Sequence, residues 1–370
     1  MESFLAAASE LLAVPSTADR PDDLQRALDF VVDFVGPGFT VERFESGGKP
    51  SALLYQGAEL YLGTERPHFE VMLNAHVDVV PAQPDQFRPR RDGDRLYARG
   101  AQDMKVAALV EARVFRELAR DLSYPLALQL VTDEEVGGRN GTLHQIEQGV
   151  SGEFVVIGEH SGLRIVTDSK GMITATLRAV GRGGHSAYPW LADNALVKLH
   201  RSVANVLAAY PAPAGEAWRT TVNIARIETP NQARNQIPAL AEAWLDIRFP
   251  PEDSDLNGKS AEEIAAYLAT FCEPGVTPVV HLADPPHHAD RHRPEIRGLQ
   301  RAAASQGYHD GFLRKHGAAD GRFYYQHGID AVIFGIGGDG LHGPDEYADL
   351  ATVVPYYQAL KDFLGNPAGE

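Results

Sequence analysis

A short apolar run that ends in an imidazole and a carboxylate, Val71-Met72-Leu73-Asn74-Ala75-His76-Val77-Asp78, constrains this chain more than any other stretch. It is too short for a helix and is flanked by polar turns, so it reads as a buried strand. Side chains in extended backbone alternate faces, which points His76 and Asp78 the same way at the carboxyl end of that strand. Open α/β sheets put their sites at that edge. In this reading His76 ligates a metal. Asp78 holds the second ring nitrogen of a neighbouring ligand, or that of His76 if the backbone turns. For the fragment alone, the plainer account is a hydrogen-bonded histidine at a strand end.

The same strand-end chemistry recurs downstream. A polar, Pro-rich loop at 81–94 leads to Arg99-Gly100-Ala101-Gln102-Asp103-Met104-Lys105, which opens a helix over 106–120 with apolar residues at helical spacing. An apolar run at 126–132 leads into Asp133-Glu134-Glu135-Val136-Gly137-Gly138, and another at 154–158 ends at Glu159. Two helices, at 2–13 and 22–36, and short strands to about residue 60 precede these elements, with Gly36-Pro37-Gly38 as the break between. Between 173 and 284 the texture changes to alternating strands at 173–180, 221–227 and 243–249, with helices at 193–209 and 261–272. That pattern predicts an antiparallel sheet covered on one face. Residues 284–290, Asp-Pro-Pro-His-His-Ala-Asp, read as an exposed hinge, with His281, His287, His288 and His292 around it. A helix at 294–306, a strand at 331–334, a glycine-rich loop at 335–343 and a final helix at 349–364 then resume the α/β pattern. The expected fold is α/β, with a mostly parallel central sheet in a catalytic domain over 1–173 and 285–370. An inserted α+β domain spans 174–284. Two domains also suit 370 residues, since single cores seldom exceed roughly 250–300.

Charge and cysteine content narrow the chemistry. A formal charge of −16 argues against nucleic acid or an anionic membrane as partner. One cysteine, Cys272, excludes a disulfide framework and a thiolate metal site, leaving His, Asp and Glu as ligands. The amino-terminal run lacks a positive leader and carries Glu10, and no apolar run approaches a membrane span, so a cytoplasmic protein is expected. His76, Asp78, Asp103, Glu134, Glu135, Glu159 and His342 would gather too many carboxylates in one crevice to stay ionised without cations. Charge counting suggests two divalent ions, roughly 3.5–4 Å apart with one carboxylate bridging, an arrangement that activates water for hydrolysis. Oxygen and imidazole donors suit zinc, and also cobalt or manganese. Side chains of adjacent Glu134 and Glu135 diverge on a turn, so one can bind metal while the other serves as general base. Gly137-Gly138 implies that the backbone passes close to something there.

These motifs, with Gly184-His185-Ser186-Ala187-Tyr188-Pro189, resemble the ordered motifs of the co-catalytic zinc peptidases of clan MH. That family includes acetylornithine deacetylase, succinyl-diaminopimelate desuccinylase, carboxypeptidase G and carnosinase-type dipeptidases. The resemblance spans nearly the whole chain. It implies that Asp103 bridges both metals, that His76 and Glu159 complete one site, and that Glu135 and His342 complete the other. It further implies Glu134 as general base, Asp78 as the group orienting His76, and the inserted segment as a lid that dimerises. His185 would polarise the scissile carbonyl, commonly in the partner subunit's site. Asn235 and Arg248 match lid positions that hold the substrate carboxylate, and Arg322 matches a catalytic-domain position near the substrate.

Residues 186–194 are close to the desuccinylase subgroup. Ser169-Lys170-Gly171, Lys315-His316-Gly317-Ala318-Ala319 and the loop 335–347 depart from it, so the acyl group stays open. The expected activity is hydrolysis of an amide bond in an N-acyl amino acid or small peptide with a free carboxylate. A dipeptidase or carboxypeptidase of the same family is the alternative. Two rivals from other classes are a phosphoesterase, which would want cations beyond Lys105 near the metals, and a non-catalytic metal-binding protein, which would have no use for Glu134.

Overall fold

The computed structural model describes residues 1–56, 68–308 and 311–368. The expected strand region before residue 60 therefore runs partly outside the described residues. Contacts divide the chain into two compact units. The first comprises Met1–Thr167, His288–Arg314 and Ala319–Glu370, and the second Asp168–His287 with Lys315–Ala318.

The first unit is built on a mixed sheet whose strands run in the order Thr40–Ser46, Lys49–Tyr55, Leu126–Val131, Phe69–His76, Gly152–Ile157 and Asp330–Ile333. The last four are mutually parallel, and the first two pair antiparallel at the margin. The central strands are buried almost throughout, as their uninterrupted apolar sequence requires when helices cover both faces. One face packs under Glu2–Leu12, Pro21–Val35, Val106–Leu118, Pro294–Ser305 and Val353–Gly365, and the other under residues that include Ile146, Phe323 and Tyr324. Register pairs His76 with Val131, Asn74 with Ile157, and Ile157 with Ile333, so the carboxyl ends of the parallel strands share one edge.

The loop expected at 81–94 is not all loop. Arg90–Asp92 pairs with Arg95–Tyr97, which pairs with Tyr347–Asp349 and through it with Gly338–Asp339. Three-residue strands with exposed arginines leave no apolar alternation to read, and the pairing partner lies some 250 residues away in sequence.

The second unit is a four-stranded antiparallel sheet in the order Thr221–Glu228, Leu240–Phe249, Gly171–Val180, Val276–Asp284. Helices Ala195–Ala209 and Ala261–Ala269 cover one face, with Leu199, Val203, Ile264 and Leu268 packed on Ile173, Leu177 and Leu245. Asn194 caps the first helix through its side chain, and Ser260 with Glu263 forms a capping box on the second. Val276–Asp284 was not expected as a strand, because Pro278 argues against one. Its place at the sheet edge is where a strand tolerates proline. The exposure expected at 284–290 needs correction, since Asp284, His287 and Ala289 are buried and His287 sits in a short strand, although His281 and His288 are exposed; the boundary between the two units does fall in this segment, at His287.

Candidate metal centre

His76 closes its strand at the shared edge and is almost wholly buried. Its Nε2 lies 2.9 Å from Asp103 Oδ1 and 3.7 Å from Glu159 Oε1, while Nδ1 lies 3.1 Å from the Asp78 carbonyl oxygen and 3.5 Å from Asp78 Oδ1. The chain thus does turn after His76, and residue 78 reaches back to the same ring. With Nδ1 directed at that carbonyl, Nε2 is the atom turned toward the acidic cluster.

The carboxylate of Asp78 has a second task that sequence reasoning missed. It accepts hydrogen bonds from the backbone N–H groups of Glu134 (3.3 Å) and Glu135 (3.0 Å), fixing the turn after Leu126–Val131. Within this turn Gly138 has φ +65°, and a Cβ there would meet Asp320 Oδ1 at 2.1 Å, so glycine is required as its pairing with Gly137 suggested. Glu159 follows Gly152–Ile157. A Cβ on Gly335 would meet the backbone oxygens of Gly158 and Glu159 at 2.3 and 2.4 Å, so the chain leaving Asp330–Ile333 is pressed against this ligand's backbone.

Asp103 joins the two halves of the cluster. Its Oδ1 faces His76, and its Oδ2 lies 3.4 Å from His342 Nε2, which is itself 3.1 Å from Glu135 Oε2. Two sets of donor atoms result, His76 with Asp103 and Glu159, and Asp103 with Glu135 and His342, each with all atoms within 4.8 Å of one another. His342 is the exposed member, at 48% of its side-chain surface, and has a positive φ of 57°. The remaining groups of this edge are buried.

Electrostatics match a site shaped for cations. Burial, then neighbouring Glu159, pushes the Glu134 carboxyl well above the usual range, and burial with Asp103 raises Glu135 to about 8. Burial works against protonation of His76, but the hydrogen bonds to Asp103 and Asp78 outweigh it and hold the imidazole well above its ordinary value. Hydrogen bonding to Asp103 raises His342. The protein by itself thus relieves crowded negative charge only by retaining protons. Divalent ions would relieve it directly, and a donor set of three carboxylates and two imidazoles fits zinc, cobalt or manganese.

Among the other expected residues, Arg322 is 4% exposed, donates to the Gly137 carbonyl (2.8 Å) and lies 3.7 Å from Asp320. That bond ties Arg322 to the turn that carries Glu134 and Glu135. His185 lies in the second unit, in a two-residue strand paired with Gln236–Ile237, and its Nδ1 accepts from Ala187 N–H. The Asn235 carbonyl accepts from Ser186 N–H. Arg248 is held bidentately by Asp246 at 2.7 and 3.0 Å. Lys105, the cation a phosphoesterase would need, instead donates to the carbonyls of Leu11 and Val14 and is fully buried. Glu346 and Asp320 are buried carboxylates of this unit that no sequence motif flagged.

Comparison with known proteins agrees with this geometry. The sequence signature described as Peptidase family M20/M25/M40 matches residues 72–366. A succinyl-diaminopimelate desuccinylase of Rhodospirillum centenum is 31% identical over 397 aligned positions, covering 96% of each chain. Among solved structures, an M20-family metallo-carboxypeptidase of Sulfolobus solfataricus superposes with a TM-score of 0.75 at 17% identity, covering all of both chains. A dinuclear metal-binding peptidase of the M20 family from Bacillus subtilis gives 0.67 at 14% identity, covering 98% of this chain and 97% of that one.

Proposed function

The chain belongs to Peptidase family M20/M25/M40, and from that premise we propose that it hydrolyses the amide bond of an N-acyl amino acid or small peptide bearing a free carboxylate. The observation that carries this reading is Asp103, whose two oxygens face the two halves of a cluster of three carboxylates and two imidazoles, of which His342 is the exposed member. His76, Asp103 and Glu159 would hold one divalent ion, and Asp103, Glu135 and His342 the other, with zinc as the expected metal. The chemistry such a pair supplies when bound is Lewis acidity, which activates water and polarises an amide carbonyl.

The protein's own residues supply positioning and proton transfer. Glu134 is the general base in this reading. Its backbone is pinned by Asp78, and burial together with neighbouring Glu159 raises its proton affinity, which favours a group that must accept a proton. Such a group takes a proton from the attacking water and returns it to the leaving amine. Asp78 sets both the His76 ring and the base turn, so one side chain couples ligand and base geometry. His185 is assigned to carbonyl polarisation, and Asn235 and Arg248 to the substrate carboxylate, on the strength of their motifs. Because Asp246 already engages Arg248, carboxylate binding there would exchange one bidentate partner for another. The second unit is assigned as a lid that pairs in a homodimer, which light scattering would detect, and the cytoplasm as the place of action. No helix among the described residues is long and apolar enough to cross a membrane.

The test is a panel of N-succinyl, N-acetyl and dipeptide substrates offered to zinc- or cobalt-loaded protein. Turnover is expected for at least one, with Glu134→Gln reducing kcat by about 10²-fold or more while metal content is unchanged. Absence of hydrolysis across the panel, or full turnover by the variant, would overturn the reading.

A further inference from the structure

His342 is the one proposed ligand that arrives late in the chain, on an exposed loop, yet it must meet Asp103 to within a few tenths of an ångström. Two buried side chains bridge the gap. Arg99, 3% exposed, donates from Nη2 to the carbonyls of His342 (2.9 Å) and Gly343 (3.1 Å), and from Nη1 to Glu346 Oε2. Glu346, 2% exposed, also accepts from the backbone N–H groups of Gly100 (3.1 Å), Gln102 (3.1 Å) and Asp103 (3.2 Å). One oxygen serves Gln102 and Asp103, and the other serves Gly100 and the guanidinium. Outside this pair, Gln86 donates to the Gly343 and Pro344 carbonyls, and Ala98 N–H donates to the Glu346 carbonyl.

We propose that Arg99, held in place by Glu346, is a positioning residue that keeps the His342 loop in register with the Asp103 turn, and thereby sets occupancy of the Asp103–Glu135–His342 ion without governing the other. This rests on the two-metal reading above. The selectivity follows from what Arg99 touches. Among the described residues, every side-chain hydrogen bond of Arg99 other than that to Glu346 goes to the His342 loop, whereas His76 and Glu159 are fixed by strand ends and by Asp78. Partners that orient a ligand in this way typically alter metal affinity by about 10–100-fold when removed.

The experiment is calorimetric titration of metal-free protein with Zn²⁺, with retained metal measured after dialysis, for the wild type, His342→Ala, His76→Ala, Arg99→Met and Glu346→Gln. Wild type is expected to take two equivalents. Arg99→Met should keep one at wild-type affinity and lose about 10–100-fold in the other, matching His342→Ala and not His76→Ala. Arg99→Lys, which keeps a cation able to reach one carbonyl, should lose less. A general structural lesion would weaken both equivalents together, so equal weakening of the two in Arg99→Met overturns the proposal, whereas Glu346→Gln, which also frees the Asp103 turn, should weaken both. Unchanged affinities overturn it as well. Where Arg99→Met unfolds by circular dichroism, Arg99→Gln, which keeps a polar group beside Glu346, is judged by the same criterion. Fewer than two equivalents in the wild type would overturn the two-metal reading itself, a result distinguishable from wild-type binding of two with no selective loss.

Discussion

Several buried acids among the described residues lie outside the candidate metal cluster, Glu111 among them. Glu111, fully buried on Val106–Leu118, accepts a hydrogen bond from the Tyr356 hydroxyl (2.9 Å), and its other oxygen has no hydrogen-bond partner among the described residues. Burial lifts its carboxyl well above the usual range despite the tyrosine, so the folded protein keeps it neutral. The sign follows from linkage. The unfolded chain releases this proton near its ordinary value of 4.5, the folded chain holds it, and stability falls as pH rises between the two. Glu111→Gln keeps the bond from Tyr356 and has no proton to lose. Relative to wild type it should gain stability as pH rises above 4.5, by at most about 1.4 kcal/mol per pH unit, read from urea midpoints at a series of pH values. A constant difference would show that Glu111 is ionised in the fold. The pairing of Asp78 with the backbone of Glu134 and Glu135 is the complementary case, a carboxylate paired with donors that sequence alone could not supply.

At the scale of elements, Val106–Leu118 packs against Val353–Gly365, and its register is marked at the surface by Glu117. This carboxylate accepts from Arg113 Nε (3.0 Å), Lys361 Nζ (3.1 Å) and the Tyr357 hydroxyl. Burial alone would raise it, but these three donors bring it down to about 2. Its stabilisation is therefore present above its ordinary value of 4.5 and is lost as pH falls toward 2. Solvent screens the cluster, so Glu117→Gln should cost less than about 1 kcal/mol at pH 7. That cost should close as acid protonates the wild type, checked by thermal unfolding at both pH values. The longer helices were legible from apolar spacing, most of their ends falling within a residue or two of expectation, although the helix expected at 261–272 stops at Ala269 and the final one begins at Val353 rather than 349. The small sheet that binds Arg95–Tyr97 to Tyr347–Asp349 was not legible, because strands of three residues carry too little pattern and their partner is remote.

For the whole molecule, the ledger of charge matters most. Bound divalent ions stabilise the fold in proportion to their binding, about 2.7 kcal/mol for one ion at a hundred times its Kd. Chelation should accordingly lower the thermal midpoint of the unit containing His76, Asp103, Glu135, Glu159 and His342, and leave that of residues 168–287 in place. Differential scanning calorimetry with and without chelator would show it, and equal shifts of both transitions would contradict it. The sequence by itself determined that strands ending in His76, Glu134–Glu135 and Glu159 share one edge, because apolar runs separated by helices can only form a covered, parallel sheet. It also determined that no thiolate takes part, and it marked the glycines where backbone must pass close. Only the tertiary structure decided that the two oxygens of Asp103 face opposite histidines, that Lys105 and Arg322 donate to backbone carbonyls, and that Arg99 bonds to a loop 243 residues away. Local pattern reports which face a side chain takes, whereas its hydrogen-bond partner is chosen by elements that meet only when the sheet closes.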